Sequence, residues 1–175
     1  MFEKFLPDMR VDSVFDIDLE ELYAQGYRGI ITDLDNTLVG AKAPLATPEL
    51  IEWFAKVKEN GFKLVIVSNN NLNRVSVFAG PLNIEFVHAA KKPSGAAFRR
   101  AVGMMGLKPE ETIVVGDQLM TDVFGGNRQG LYTVLVLPIS VQDEGMGTRI
   151  NRRLERVVKR RLSKIGLWLE EESKQ

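Results

Sequence analysis

In the stretch GIITDLDNTLVG a short apolar run ends at Asp33, and a second carboxylate, Asp35, follows at once. Two acids so close can divide acid and base work. Continued just past a strand end, the alternation of a pleat turns Asp33, Asp35 and Thr37 toward one crevice. Taken alone, the stretch also reads as a solvated turn around Asn36. Three further apolar runs end in a comparable way. VIVSNN closes on Ser68 and Asn69, where a hydroxyl and exposed amides suit an anionic oxygen. AAKKPSGAAF supplies Lys91 and Lys92, and a lysine there neutralises a phosphate as a compact point charge. VVGDQLMTD ends on Asp117, with Asp122 about a helical turn beyond, a pair suited to a hard cation such as magnesium. Each signal alone is ordinary loop chemistry. Together, successive strand ends offer carboxylates, a hydroxyl, a lysine and another carboxylate, which is the set phosphoryl chemistry needs.

The elements that must hold these groups alternate. Asp18 is placed to cap a short helix, LEELYAQ, with Glu21 in capping-box position and Gly26 as its stop. Strands are expected at residues 29–34, FKLVIVS, IEFVHA, TIVVGD and LYTVLVLP. Between them, Thr47-Pro48 opens a helix whose Leu50, Ile51, Phe54 and Val57 share a face, and NLNRVSVFAG and SGAAFRRAVGMMG read as two more. LMTDVFGGNRQG is helical at its start, with glycines that weaken it. Strands separated by helices predict an α/β fold of three layers, with a mostly parallel five-stranded sheet covered on both faces. In parallel sheets of this kind ligands bind at the carboxyl ends of the strands, where the polar groups fall.

The chain has 175 residues, 45% of them hydrophobic, which suits one full-sized core. With 23 basic and 23 acidic side chains the formal charge is +0, so net charge gives no reason to expect a nucleic-acid partner. The absence of cysteine excludes disulfides, thiolate metal sites and cysteine nucleophiles. His88 is the single imidazole, which removes multi-histidine zinc sites; near a strand end it reads as structural rather than catalytic. No basic-then-apolar leader opens the chain, and no apolar run reaches the roughly 20 residues of a membrane helix, so the expected location is cytoplasmic.

DLDNT, the VIVSNN serine, the KKP lysine and GDQLMTD resemble, in order, the four motifs of the haloacid dehalogenase (HAD) superfamily phosphatases, and VFDIDLEELYAQGYRGIITDLDNTL, HAAKKPSGAAF and the TRINRRLE segment, spread over nearly the whole chain, resemble the YqeG branch of subfamily IIIA. The resemblance implies a HAD-like Rossmannoid domain acting through an aspartyl-phosphate. Asp33 would be the nucleophile and Asp35 the general acid and base. Mg2+ would be held by Asp33, the backbone carbonyl of Asp35, and Asp117. Ser68 and Asn69 would bind the phosphoryl oxygens. Lys92, preferred to Lys91 because the superfamily lysine commonly precedes proline, would balance their charge. Asp122 would orient Lys92 or a metal-bound water, and Thr37 would brace the loop. Gln118 stands where many relatives carry another acid. The intervals from Asp33 to Ser68 and from Ser68 to Lys92 leave no room for a large cap domain, so an open site is expected. Relatives of this branch include phosphatidylglycerophosphate phosphatases, which makes that lipid the candidate substrate. A soluble sugar or nucleotide monophosphate, or an inactive binding module on the same fold, are the alternatives.

The phosphatase domain is expected over residues 1–147, followed at 148–175 by a basic amphipathic helix. Ile150, Leu154, Val157 or Val158, Leu162 and Ile165 fall on one face, with Arg152, Arg153, Arg156, Arg160 and Arg161 on the rest. Such a helix either packs its apolar stripe on the domain or lies on an anionic membrane.

Overall fold

The apolar runs become the inner strands of one sheet. The computed structural model describes residues 2–140, 142 and 145–168; the end of the 148–175 segment lies outside them. Six strands, β1 (Met9–Arg10), β2 (Gly29–Thr32), β3 (Lys63–Val67), β4 (Glu85–Val87), β5 (Thr112–Gly116) and β6 (Tyr132–Leu135), pair in the order β1-β6-β5-β2-β3-β4. Every ladder between them is parallel. The expected five-stranded sheet thus gains a sixth strand, β1, at its edge beside β6. Its Met9-Arg10 pair is too short to show periodicity, and the sheet recruits it through Met9 opposite Val134.

Residues of β2 and β5 are buried throughout, as befits central strands covered on both faces. On one side α2 (Pro48–Glu59) and α3 (Leu72–Ala79) pack through Leu50, Trp53, Val57, Val75 and Phe78. On the other, α4 (Gly95–Met105) contributes Phe98, Ala101, Val102 and Met105. The caps follow the sequence: Asp18 accepts from the Glu21 amide ahead of α1 (Leu19–Ala24), and Thr47 from the Leu50 amide ahead of α2. The inward face of α2 is rotated from the expected one, because Trp53 is buried while Ile51 is exposed. After β5 the chain makes a wide, π-type turn over Leu119–Val123 and then α5 (Phe124–Arg128). The glycines there serve close packing. A Cβ on Gly126 would stand 2.4 Å from Val114 of the sheet.

From β2 the chain moves outward through β3 and β4, then returns to build β5 and β6 on β2's other side. That reversal is a topological switch point, where a crevice opens at the strands' carboxyl ends. Register makes the ends level: Thr32 pairs with both Ile66 and Val115. Asp33, Ser68 and Asp117 are therefore delivered to one edge.

The helix α6 (Met146–Lys164) packs on the Leu119–Val123 turn. Its orientation runs against the packed alternative, in which the apolar stripe meets the domain. Ile150, Leu154, Val157 and Ile165 are exposed; of the apolar set, Leu162 is buried and Val158 packs beside Leu119 and Val123. Arg152 faces inward rather than out with the other arginines, because it and Glu155 find polar partners under α6.

Candidate active site

Asp33 leaves β2 with its amide bonded to the Val115 carbonyl, which fixes the first residue past the strand against β5. Lys92, from the loop after β4, reaches back so that its Nζ donates to Asp33 Oδ1 and to Asp122 Oδ1, each at 2.7 Å. All three are buried. Lys91, by contrast, is exposed, so the lysine before proline is the one in the site. Burial alone would depress the Lys92 ammonium, but Asp122 and Asp33 outweigh it and hold it above its ordinary value. The buried carboxylates outnumber that ammonium. Burial accordingly pushes the Asp33 carboxyl up to about 6, with Lys92 pulling the other way.

Asp117 follows Gly116 at the end of β5 and accepts from the Thr37 hydroxyl at 3.0 Å. Burial, then Asp33 and Asp122, push it up to about 8 against the pull of Arg152. Asp122 turns back beneath the strand end and accepts from the Gln118 amide at 3.1 Å. Gly116 permits this approach: a Cβ there would lie 2.2 Å from the Asp122 carboxyl carbon. The sequence therefore needs glycine immediately before Asp117.

Asp35 lies at the same crevice but is held separately. Arg74, on α3, donates to its Oδ1 from Nε and Nη2 at 3.0 and 2.8 Å, and Asn70 donates to its Oδ2 at 2.9 Å. Ser68 is buried and its hydroxyl accepts from the Asn70 amide. The Asn69 side chain is committed to Lys92, accepting from its amide at 2.7 Å and donating to its carbonyl at 3.3 Å. That clamp places the loop from which Lys92 extends.

A cavity of about 450 Å³ is lined by Asp33, Asp35, Ser68, Asn69 and Lys92. The residues picked out from separate strand ends thus meet, with Thr37, Asp117 and Asp122 packed behind. His88 is exposed and does not line it. Three groups escape a reading of strand ends. Asn70, just before α3, and Arg74, within it, reach Asp35 only through the tertiary fold. Arg152, from α6, is the third: it donates to the Asp117 carbonyl at 2.7 Å, ion-pairs with the Asp117 carboxylate and donates to the Glu155 carboxylate at 3.2 Å. The start of α6 also walls the cavity, through Thr148 and Asn151, and Asn151 donates to Gln118.

The residues fit a divalent cation. Asp33, Asp117 and Asp122 bring carboxylate oxygens within 4.8 Å of one another, all buried. A cation would relieve the repulsion that raises Asp33 and Asp117, and an all-oxygen donor set suits a hard ion. Asp35 contributes no carboxylate to this cluster, which leaves its backbone carbonyl as the group the family resemblance implies. Thr121 Oγ1, on the cavity wall, is a buried hydroxyl without a hydrogen-bond partner among the described residues.

Sheet order, a switch-point crevice and a buried Asp–Lys–Asp set at the strand ends define a class of phosphoryl-handling hydrolase. Residues 15–130 match the haloacid dehalogenase-like hydrolases, and the chain belongs to that family. It is a phosphatase of that family. It is 53% identical to the probable phosphatase YqeG of Bacillus subtilis, over 93% of this chain and 94% of that one. It is also 31% identical to phosphatidylglycerophosphate phosphatase 1, chloroplastic/mitochondrial, of Arabidopsis thaliana, covering 93% of this chain and 49% of that longer protein. The crystal structure of a putative β-phosphoglucomutase from Thermotoga maritima superposes with a TM-score of 0.54 at 12% identity, over 71% of this chain and 91% of that one, which shows the shared fold.

Proposed function

We propose that the protein is a magnesium-dependent phosphate-monoester hydrolase that acts through an aspartyl-phosphate on Asp33, with phosphatidylglycerophosphate as candidate substrate. The observation that carries the reading is Lys92 bridging Asp33 and Asp122 at 2.7 Å each, beside the Asp117 carboxylate, in a cavity at the strand ends. The Asp33 carboxylate attacks phosphorus and the ester oxygen leaves with a proton from Asp35; Asp35 then takes a proton from the water that cleaves the aspartyl-phosphate. Arg74 and Asn70 fix the orientation of Asp35 for both transfers. Ser68 offers its hydroxyl to the phosphoryl oxygens, Asn69 holds Lys92 in place, and Lys92 balances the charge those oxygens spread. Held by Asp33, Asp117 and the Asp35 carbonyl, magnesium would shield the approach of one anion to another.

The lipid substrate is supported by the name of the Arabidopsis relative and by the open site: between Asp33 and Lys92 the chain builds only α2, β3, α3 and β4, with no domain to close over a small molecule. A phosphate-release screen with magnesium across phosphatidylglycerophosphate, sugar phosphates and nucleoside monophosphates tests it. Preference for the lipid is expected. Equal or greater turnover of the soluble esters would replace it with a soluble-substrate phosphatase.

A further inference from the structure

α6 turns a polar face toward the domain and an apolar one away. Arg152, Glu155 and Leu162 point inward, whereas Met146, Ile150, Leu154 and Val157 are 81%, 54%, 48% and 53% exposed. At about 100° per residue those four residues form one outward stripe. Alongside runs a cationic stripe, Arg149, Arg153, Arg156 and Arg160, all exposed. No hydrogen bond or ion pair joins Arg149, Arg153 or Arg156 to a described side chain. Between these arginines and the segment after β6 lies a second cavity of about 520 Å³, lined by Val136, Leu137 and Pro138 and by Arg149, Arg153 and Arg156, together with Asp117 and Glu155, both acids paired to Arg152. Leu137, in that lining, and Ile139 are exposed as well.

We propose that this face docks on an anionic lipid bilayer, with the apolar stripe in the headgroup boundary and a lipid phosphate among Arg149, Arg153 and Arg156. A bilayer boundary offers both things the surface asks for, apolar depth and negative charge, side by side. A second copy of the chain would set arginine stripe against arginine stripe, which costs affinity. A nucleic-acid backbone would satisfy the arginines and leave the stripe from Met146 to Val157 in water. The placement has a use, which rests on the phosphatase reading above: Gly145, Gly147 and Thr148 at the start of α6 also wall the Asp33 cavity, so docking sets its mouth at the lipid surface. Binding itself does not depend on that reading.

Co-sedimentation of the full chain with vesicles tests the proposal, comparing phosphatidylcholine alone with phosphatidylcholine mixed with phosphatidylglycerol, at low and high salt. The chain is expected to partition to the anionic vesicles and to release as salt rises. Each arginine removed should weaken partition about fivefold, so Arg149→Gln/Arg153→Gln/Arg156→Gln together should lose about a hundredfold. Ile150→Asp/Leu154→Asp should also abolish partition. Both variants lie outside the Asp33 cavity and should retain turnover of a soluble aryl phosphate, which verifies their fold. Equal binding to both vesicle types, or native partition by either variant, overturns the proposal. So does binding to RNA without binding to vesicles, or self-association that Ile150→Asp/Leu154→Asp removes while no vesicle binding is seen. Vesicle binding by a chain that hydrolyses no phosphate ester would uphold docking and refute the phosphatase reading instead.

Discussion

Lys92 Nζ stands 2.7 Å from Asp33 Oδ1 although the two residues are 59 positions apart in the chain, and both are buried. Asp122 accepts from the same ammonium, so one cation neutralises two buried acids. Removing it strands both.

Lys92→Ala should therefore destabilise the fold as well as stop turnover. Breaking a buried ion pair from one side costs about 3–5 kcal/mol, because the remaining charge has neither water nor partner. Urea unfolding measures it. A loss under about 1 kcal/mol, the range of an exposed pair, would mean that solvent reaches Asp33 and Asp122 freely.

Stability should depend on pH in a defined direction. Asp33 and Asp117 hold their protons more tightly in the folded protein, so their contribution is complete below the ordinary value of 3.8 and is lost as pH rises through about 6 for Asp33 and about 8 for Asp117. In chelator, the unfolding free energy of Asp117→Asn should fall less steeply across this window than that of the native chain, since the amide cannot ionise. Parallel urea-derived curves for the two proteins would contradict the placement of Asp117.

Asp35→Asn should lower turnover of an alkyl phosphate by about 10²–10⁴-fold, the range for a lost general acid and base. An aryl phosphate, whose leaving group needs little protonation, should still phosphorylate the protein. Arg74→Ala frees Asp35 on one side and should reproduce the same selectivity more mildly, slowing alkyl esters more than aryl ones in steady-state assays. Equal slowing of both would place Arg74 in substrate binding or in the fold.

How far this was legible beforehand follows from the kind of signal each residue gives. β2, β3 and β5 declare themselves as brief apolar runs, and because their ends are level in the sheet, Asp33, Ser68 and Asp117 could be brought together by topology alone. Lys92 could be preferred to Lys91 only through the family resemblance, in which the lysine precedes proline. β1 could not be seen, since its two residues become a strand only by pairing with β6. Which way α6 turns its apolar stripe could not be read for a different reason. Periodicity reports where apolar residues cluster, but Arg152 and Glu155 are anchored by the Asp117 carbonyl and the Met120 amide, and those polar partners set the rotation of the helix. The Arg74–Asp35 pair depends on a long side chain crossing from α3 to the β2 end, a tertiary contact that sequence spacing does not encode.

Chelation should abolish phosphate release and added magnesium should restore it, because Lys92 and Arg152 do not offset three clustered carboxyl groups and an incoming phosphate together. A chromogenic aryl phosphate with and without chelator gives the answer. Undiminished hydrolysis in chelator would remove the metal from the mechanism.

The most direct test is capture of the intermediate. The protein, or its Asp35→Asn variant to slow breakdown, is quenched in acid during turnover of an aryl phosphate, reduced with borohydride and mapped by peptide mass spectrometry. Reduction of an acyl phosphate converts the aspartate to homoserine, and it should appear at position 33, and be absent from Asp33→Asn, which should also lose phosphate release by at least about 10³-fold. Homoserine at another acid, or none during active turnover, would show that Asp33 is not the nucleophile.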